Sequence, residues 1–179
     1  MAEFVPKSWD QKIVLCCFAR DVPHKNITGA IKLFEFLDSH HPEGAELYLT
    51  SNMGSSNSKI KNLDKVSDEE RESVYKKSHL NLLLSLDHSN RGQIEGFGLT
   101  ILEAGKYGVP SIGSLYGGLP ESVHHQKTGW SLSSEDENEY SRMYDFFKGH
   151  YSTIQRQTYK HTLSEHGLDK YEKLIESLL

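Results

Sequence analysis

Two glutamates eight positions apart, Glu95 and Glu103, flank a Gly-Phe-Gly turn that leads into an apolar, helix-forming run. This pattern predicts a helix beginning near Gly98, with Glu95 in the preceding loop and Glu103 about one turn inside. The first N–H groups of a helix have no intrahelical partner, so such a helix start suits a phosphate. A carboxylate on the next turn can accept hydrogen bonds from a vicinal diol. A nucleotide-sugar needs both kinds of group: hydrogen-bond donors for its phosphates and hydrogen-bond acceptors for its hydroxyl groups.

Further charges support this interpretation. Arg20 and Lys25 follow the first predicted strand and stand just before a helix. The two cations could be ordinary solvated side chains, or they could bind a pyrophosphate. Binding is the favoured interpretation, because a cation at a helix start opposes the helix dipole unless an anion is present. Glu103 lies among apolar helix residues. Because an unpaired buried carboxylate is costly, we expect it to meet a ligand or a cationic partner.

The elements that position these residues alternate between short apolar runs and helical periodicity. This alternation predicts a three-layer α/β/α, Rossmann-like fold with a parallel sheet and C-terminal helices. In such a sheet, ligands bind beyond the carboxyl ends of the strands, where the loops with Arg20 and Glu95 fall. Strands are predicted at 12–18, 45–50, 60–63, 80–86, 111–115 and 129–132. Helices are predicted at 27–37, from a capping box at Ser67, from Gly98 to Gly108, briefly near Glu121, and from Asp136 onward.

We interpret residues 1–179 as a single domain, with a core at about 12–135 and a helical extension at about 136–179. One apolar stripe of the extension runs from Tyr140 to Ile154, and a second includes Tyr171, Leu174, Ile175 and Leu178. Gly149 and Gly167 are expected to break or bend these helices.

Composition limits the function classes. The chain has 179 residues, 36% hydrophobic and 25% charged, with a net charge of −5, which is typical of a soluble globular protein and unlike the basic footprint of a nucleic-acid binder. No apolar run reaches the ~18 residues of a membrane span, and the N-terminus lacks a signal-peptide core. Cys16 and Cys17 should point to opposite faces of a strand as buried thiols in a reducing compartment. We therefore expect a cytoplasmic protein.

The motifs resemble the donor-binding, C-terminal half of retaining glycosyltransferases of family 4 (glycosyl transferases group 1), which have the two-domain GT-B architecture. The similarity covers roughly residues 12–150 and includes Arg20 and Lys25 in the expected order. It is carried by Glu95-Gly96-Phe97-Gly98-Leu99, Glu103-Ala104, Gly108-Val109-Pro110, Gly117-Gly118-Leu119-Pro120-Glu121 and Thr128-Gly129-Trp130.

The resemblance implies a role for each matching position. Arg20 and Lys25 would neutralise the departing diphosphate, and Glu95 would contact the donor sugar near its reacting face. Such enzymes need no metal and no cofactor, because the cations and the helix dipole take the metal's place. Glu103 would hold the ribose hydroxyls. The donor-binding positions implied by the family are Val66, Phe97, Gly98, Leu99, Thr100 and Glu103.

The family also implies a partner domain. An N-terminal, acceptor-binding domain of similar size would be supplied by the same or a partner chain, and this domain alone should bind donor but transfer little. Membrane contact, common where acceptors are lipid-linked in polysaccharide biosynthesis, would be indirect, through that domain. One departure from the family pattern is Asn26, which follows Lys25 where glycine is usual.

Several alternatives remain at this stage. A metal site is disfavoured because the histidines of the adjacent pairs, such as His40 and His41, do not share a face. A dinucleotide oxidoreductase lacks its glycine fingerprint. A glycoside hydrolase would explain paired glutamates but not Arg20 and Lys25. Half of a sugar-nucleotide epimerase and a non-catalytic nucleotide-binding or regulatory module stay open.

Overall fold

A computed structural model describes residues 4–51 and 56–166. Within them lies a six-stranded, all-parallel sheet of order β3-β2-β1-β4-β5-β6. The strands are β1 Ile13–Cys17, β2 Ala45–Leu49, β3 Ile60–Asn62, β4 Leu80–Leu83, β5 Ser111–Ser114 and β6 Gly129–Leu132. The helices are α1 Ile27–His40, α2 Asp68–Lys77, α3 Leu99–Gly105, α4 Leu119–Ser122 and α5 Glu137–His166, with 3-10 turns at Pro23–Lys25 and Ser89–Arg91. The predicted fold class is confirmed. The strand order reverses between β1 and β4, so the ligand crevice of such a sheet lies beyond the ends of these two strands.

Strand β1 separates the two parts of the core. All five of its residues are buried, as expected for a strand covered on both faces. Leu15 and Cys17 pack into a cluster built mainly with α1 and α5. Cys16 packs on the opposite face, against Tyr75 of α2. The prediction that the two cysteines are buried on opposite faces is therefore confirmed, and burial raises the pKa of each thiol to about 12.

The C-terminal helix departs from one expectation. Helix α5 runs without interruption through Gly149 to His166, so the predicted break at Gly149 is wrong. Its apolar stripe is buried against the sheet, and this packing outweighs the roughly 1 kcal/mol that one glycine costs within a helix. Gly167 and the second stripe, Tyr171 to Leu178, lie outside the described residues.

A buried histidine ties the N-terminal segment to the sheet. The Nδ1 atom of His79 accepts the N–H of Val14 at 3.1 Å, so Nε2 carries the proton and donates to the carbonyl of Ser8 at 3.0 Å. This arrangement needs the neutral ring. Burial lowers the pKa of His79 to about 4 and keeps the ring neutral in the folded protein.

Candidate functional site

Three loops meet at the carboxyl ends of β1, β4 and β5. The N–H of Leu86 donates to the carbonyl of His24 at 2.8 Å, which joins the loops after β4 and β1. The hydroxyl of Ser114, the last residue of β5, donates to the carbonyl of Ser85 just beyond β4. The structure therefore brings the loops with the predicted cations and the first glutamate to one edge of the sheet.

The centre of this edge is an ion pair between Lys25 and Glu95. The ammonium binds the Oε2 atom of the carboxylate, and the Ser85 hydroxyl donates to the same oxygen at 2.7 Å. Only 13% of the Lys25 side chain and 9% of the Glu95 side chain are exposed. The sequence pointed to both charged residues, but neither to their contact with each other nor to Ser85.

Local backbone geometry places Lys25. It ends the 3-10 turn Pro23–Lys25, and Asn26 follows in the left-handed region at φ 50°. Asparagine tolerates this conformation better than most non-glycine residues. The Asn26 side chain also caps α1 by accepting the N–H of Gly29 at 3.0 Å. Asn26 can therefore stand where the family usually has glycine, because it tolerates the positive φ, and its side chain also caps α1.

The Gly-Phe-Gly turn is confirmed as the start of a helix. Gly98 is the N-cap of α3 at φ 74°, a conformation that favours glycine. A Cβ atom there would also lie 2.8 Å from a methyl group of the Leu83 side chain. The helix is shorter than expected and ends at Gly105. The next three residues form turns that end at Gly108, whose φ of 67° does not continue a helix. Around the turn, Phe97 and Thr100 are half-buried and Leu99 is exposed.

The Gly-Gly pair of the next loop packs directly against the turn. A Cβ atom on Gly117 would lie 2.3 Å from the carbonyl oxygen of Glu95, and one on Gly118 would lie 2.6 Å from that of Gly96. The Gly118 N–H donates to the Glu95 carbonyl at 3.1 Å. These two glycines therefore allow the backbone close approach that positions Glu95.

The second glutamate has two protein partners on α2. The Oε2 atom of Glu103 accepts from Nη1 of Arg71 at 3.2 Å and from the Tyr75 hydroxyl at 3.1 Å. The expected cationic partner is present as Arg71, but the Glu103 side chain is 35% exposed, so the burial on which that expectation rested is wrong. Burial, with the nearby Glu103 carboxylate, raises the pKa of Tyr75, so its hydroxyl stays a donor.

Helix α2 is held by the predicted capping box. The Ser67 hydroxyl accepts the Glu70 N–H at 3.2 Å, and the Glu70 carboxylate accepts the Ser67 N–H at 2.9 Å. Arg71 and Tyr75 stand four residues apart and so share a helix face. Arg71 could have been found from the sequence. Its four-residue spacing from Tyr75 places two donors on one helix face, and Glu103 was already expected to need a cationic partner.

Two cavities share Arg71 as a lining residue. One, of about 380 Å³, is lined by the predicted residues Arg20 and Val66 together with Arg71 and side chains after β1 and β2. The other, of about 280 Å³, contains Glu103 and Tyr75. The structure therefore groups the predicted residues in three places: Arg20 with Val66, Lys25 with Glu95, and Glu103 with Arg71.

Residues 4–51 and 56–166 contain no group of three or more histidine, cysteine, aspartate or glutamate side chains arranged to hold a metal ion. None of their helices combines the length and apolar character needed to cross a membrane.

Comparison with known proteins decides the family. Residues 54–148 match the family model described as glycosyl transferases group 1. The chain belongs to this family. The matched range includes Val66, Glu95 and Glu103 but not Arg20 or Lys25, which only the fold brings to the same edge.

Individual relatives of this glycosyl transferase group 1 chain match it either over a short segment or at low sequence identity. N-acetyl-alpha-D-glucosaminyl L-malate synthase of Bacillus anthracis is 47% identical over 53 residues, which are 30% of this chain and 12% of that protein. The crystal structure of Anabaena Alr3699/HepE in complex with UDP-glucose matches with a TM-score of 0.69 at 18% identity, over 93% of this chain and 48% of that one. The C-terminal domain of a glycosyl transferase group 1 family protein (LpcC) from Francisella tularensis matches with a TM-score of 0.64 at 15% identity, over 87% of this chain and 86% of that one. The chain thus spans about half of HepE and far less of the synthase.

Proposed function

We propose that this chain is the donor-binding domain of a glycosyltransferase that transfers a sugar from a nucleotide-diphosphate-sugar to an acceptor. The observation that carries the proposal is the ion pair of Lys25 and Glu95 at the strand-order switch, with Arg20 of the same loop after β1 lining a cavity. Membership of the glycosyl transferases group 1 family supports it, and so does the UDP-glucose bound by the structurally similar HepE. We further propose that transfer proceeds with retention and without a metal.

The proposed roles follow the positions of the side chains. Arg20 and Lys25 stabilise the negative charge that develops on the diphosphate as the bond between it and the anomeric carbon breaks. Glu95 contacts the sugar. Within the described part of the chain, the side-chain donors to Glu103 both bind Oε2, so Oε1 is the oxygen proposed to accept a ribose hydroxyl. Val66 lies in the cavity with Arg20, at the place proposed for the base.

The remaining donor-binding roles fall on the turn at the start of α3. Backbone groups of Phe97, Gly98 and Leu99, with the Thr100 hydroxyl, are proposed to hold sugar and phosphate oxygens. Gly98 and Leu99 stand at the first turn of α3, where N–H groups have no intrahelical partner. Their contribution adds to that of the side-chain cations.

An acceptor-binding domain, in the same or a partner chain, completes the proposed enzyme. Alone, the donor domain is expected to bind nucleotide-sugar and transfer little. We propose a cytoplasmic location, with membrane contact only through the acceptor domain.

A thermal-shift panel of UDP, GDP, ADP and their common sugars tests donor binding. A ligand at about 100 times its dissociation constant adds about 2.7 kcal/mol, or roughly 5 to 11 °C for a chain of this size. Arg20→Ala and Glu103→Gln should abolish most of the shift. Arg156→Ala, which removes an exposed arginine from α5, should keep it. No shift with any nucleotide, or equal shifts in all variants, would refute the donor site.

The reaction class needs a separate measurement with the acceptor domain present. A transferase releases nucleoside diphosphate and adds the sugar's mass to an acceptor. An epimerase yields a nucleotide-sugar of unchanged mass, and a binding module yields no product. Mass analysis of the reaction mixture therefore separates the three candidates.

A further inference from the structure

The contact between Lys25 and Glu95 creates a conflict for the proposed donor site. In the structure, the Lys25 ammonium is neutralised by the Glu95 carboxylate. A lysine that also neutralises a diphosphate has to redirect its charge toward that ligand. The ion pair is nearly enclosed, where charges are less screened than at the surface, so this rearrangement affects affinity.

We propose that Lys25 is exchanged between Glu95 and the diphosphate of the donor, and that Ser85 holds the Glu95 carboxylate while the ammonium is away. This inference rests on the proposed function, because it needs a diphosphate at this edge of the sheet. It makes Glu95 an internal competitor of the ligand and Ser85 a positioning residue.

The charges favour the exchange once a diphosphate is bound. A diphosphate offers more negative charge and more acceptor oxygens than the single carboxylate of Glu95. The Lys25 ammonium carries three donors on a flexible stem, so it can turn from one anion to the other.

Ser85 can keep a hydrogen bond to the Glu95 carboxylate when Lys25 moves to the diphosphate. A carboxylate that is 9% exposed is destabilised if it loses its donors. The Ser85 hydroxyl donates to the same Oε2 atom at 2.7 Å and, being neutral, is drawn far less strongly toward the diphosphate. Ser85 is itself fully buried, and its carbonyl accepts the hydroxyl of Ser114, so its position is fixed from two sides.

The exchange predicts an unusual sign for one substitution. Glu95→Gln removes the competitor and should tighten binding of a sugar-free nucleoside diphosphate by at least about fivefold, or about 1 kcal/mol. Lys25→Ala should weaken binding, and Glu95→Gln should bring much less gain in that background. Asp87→Asn is the matched control, because it removes one negative charge from the exposed loop after β4. It measures how much binding gains merely from weaker repulsion between the protein and the diphosphate, and its effect on affinity should be small.

Ser85 is tested in the same series. Ser85→Ala should weaken diphosphate binding severalfold, because Lys25 is then the only side-chain donor to the Glu95 carboxylate among the described residues. The loss should vanish in a Glu95→Gln background, and Ser85→Thr, which keeps a hydroxyl, should restore part of it. A purely structural role of Ser85 would lower affinity equally in both backgrounds.

Isothermal titration of UDP, GDP and ADP against these variants distinguishes the outcomes. Tightening in Glu95→Gln that depends on Lys25 supports the exchange. If a nucleotide binds the wild type and Glu95→Gln equally well, the exchange is wrong while the donor site stands. If none binds either protein, the donor site itself is refuted, and the exchange with it.

Discussion

Replacing Gly117 with alanine should disturb the candidate site through the backbone alone. Gly117 adopts φ 60°, which costs a non-glycine residue about 1–2 kcal/mol. The new Cβ atom would also lie 2.3 Å from the carbonyl oxygen of Glu95, so the Glu95 loop has to move. Such overpacking costs about 1–3 kcal/mol. Gly117→Ala should therefore destabilise the fold by about 2–5 kcal/mol.

Two other glycines separate these contributions. Gly92 has a similar φ of 68°, but within the described part of the chain a Cβ atom there meets nothing within 4 Å. Gly92→Ala should therefore show only the cost of φ, about 1–2 kcal/mol. Gly149 lies inside α5 with equally open surroundings among the described residues. Gly149→Ala should stabilise the protein by up to about 1 kcal/mol, because alanine is the better helix former.

Urea unfolding followed by circular dichroism measures all three free energies. The predicted order of stability is Gly149→Ala above wild type, then Gly92→Ala, then Gly117→Ala. If Gly117→Ala costs no more than Gly92→Ala, the close contact with Glu95 is absent and the account of the Gly-Gly motif is wrong. In the nucleotide thermal-shift panel, Gly117→Ala should also reduce the response, since it moves the Glu95 loop.

Three further predictions test other parts of the structure. Tyr75→Phe removes one donor from Glu103 and should lower the free energy of unfolding by about 1 kcal/mol in urea melts; no change would mean that water replaces the hydroxyl. The pKa of His79 is about 4 in the folded protein against about 6.5 when unfolded, so the unfolded state binds a proton first as the pH falls. Stability should therefore be unaffected by this group above pH 7 and decline by up to about 1.4 kcal/mol per unit from about pH 6.5 toward 5, a slope that His79→Gln should remove. Burial raises the pKa of the Cys16 and Cys17 thiols to about 12, so a thiol reagent at pH 8 should modify them only after the chain unfolds; rapid labelling of the native protein would show that they are accessible.

The sequence by itself determined the features that depend on local order. Buried strands such as β1 appear as continuous apolar runs, and the capping box at Ser67 is written in four consecutive residues. The Gly-Phe-Gly turn that opens α3 was also predicted, because glycine favours a turn and the apolar run after it indicates a helix. The fold class and the positions of Glu95 and Glu103 around a helix start followed from such patterns.

The tertiary structure alone decided which of these side chains meet. Lys25 and Glu95 are separated by 70 positions, and Arg71 and Glu103 by 32. No local pattern specifies such contacts, because they depend on the strand order and on how the loops close at one edge of the sheet. The continuity of α5 through Gly149 was likewise decided by packing, since the buried stripe of the helix offsets the weak helix propensity of one glycine.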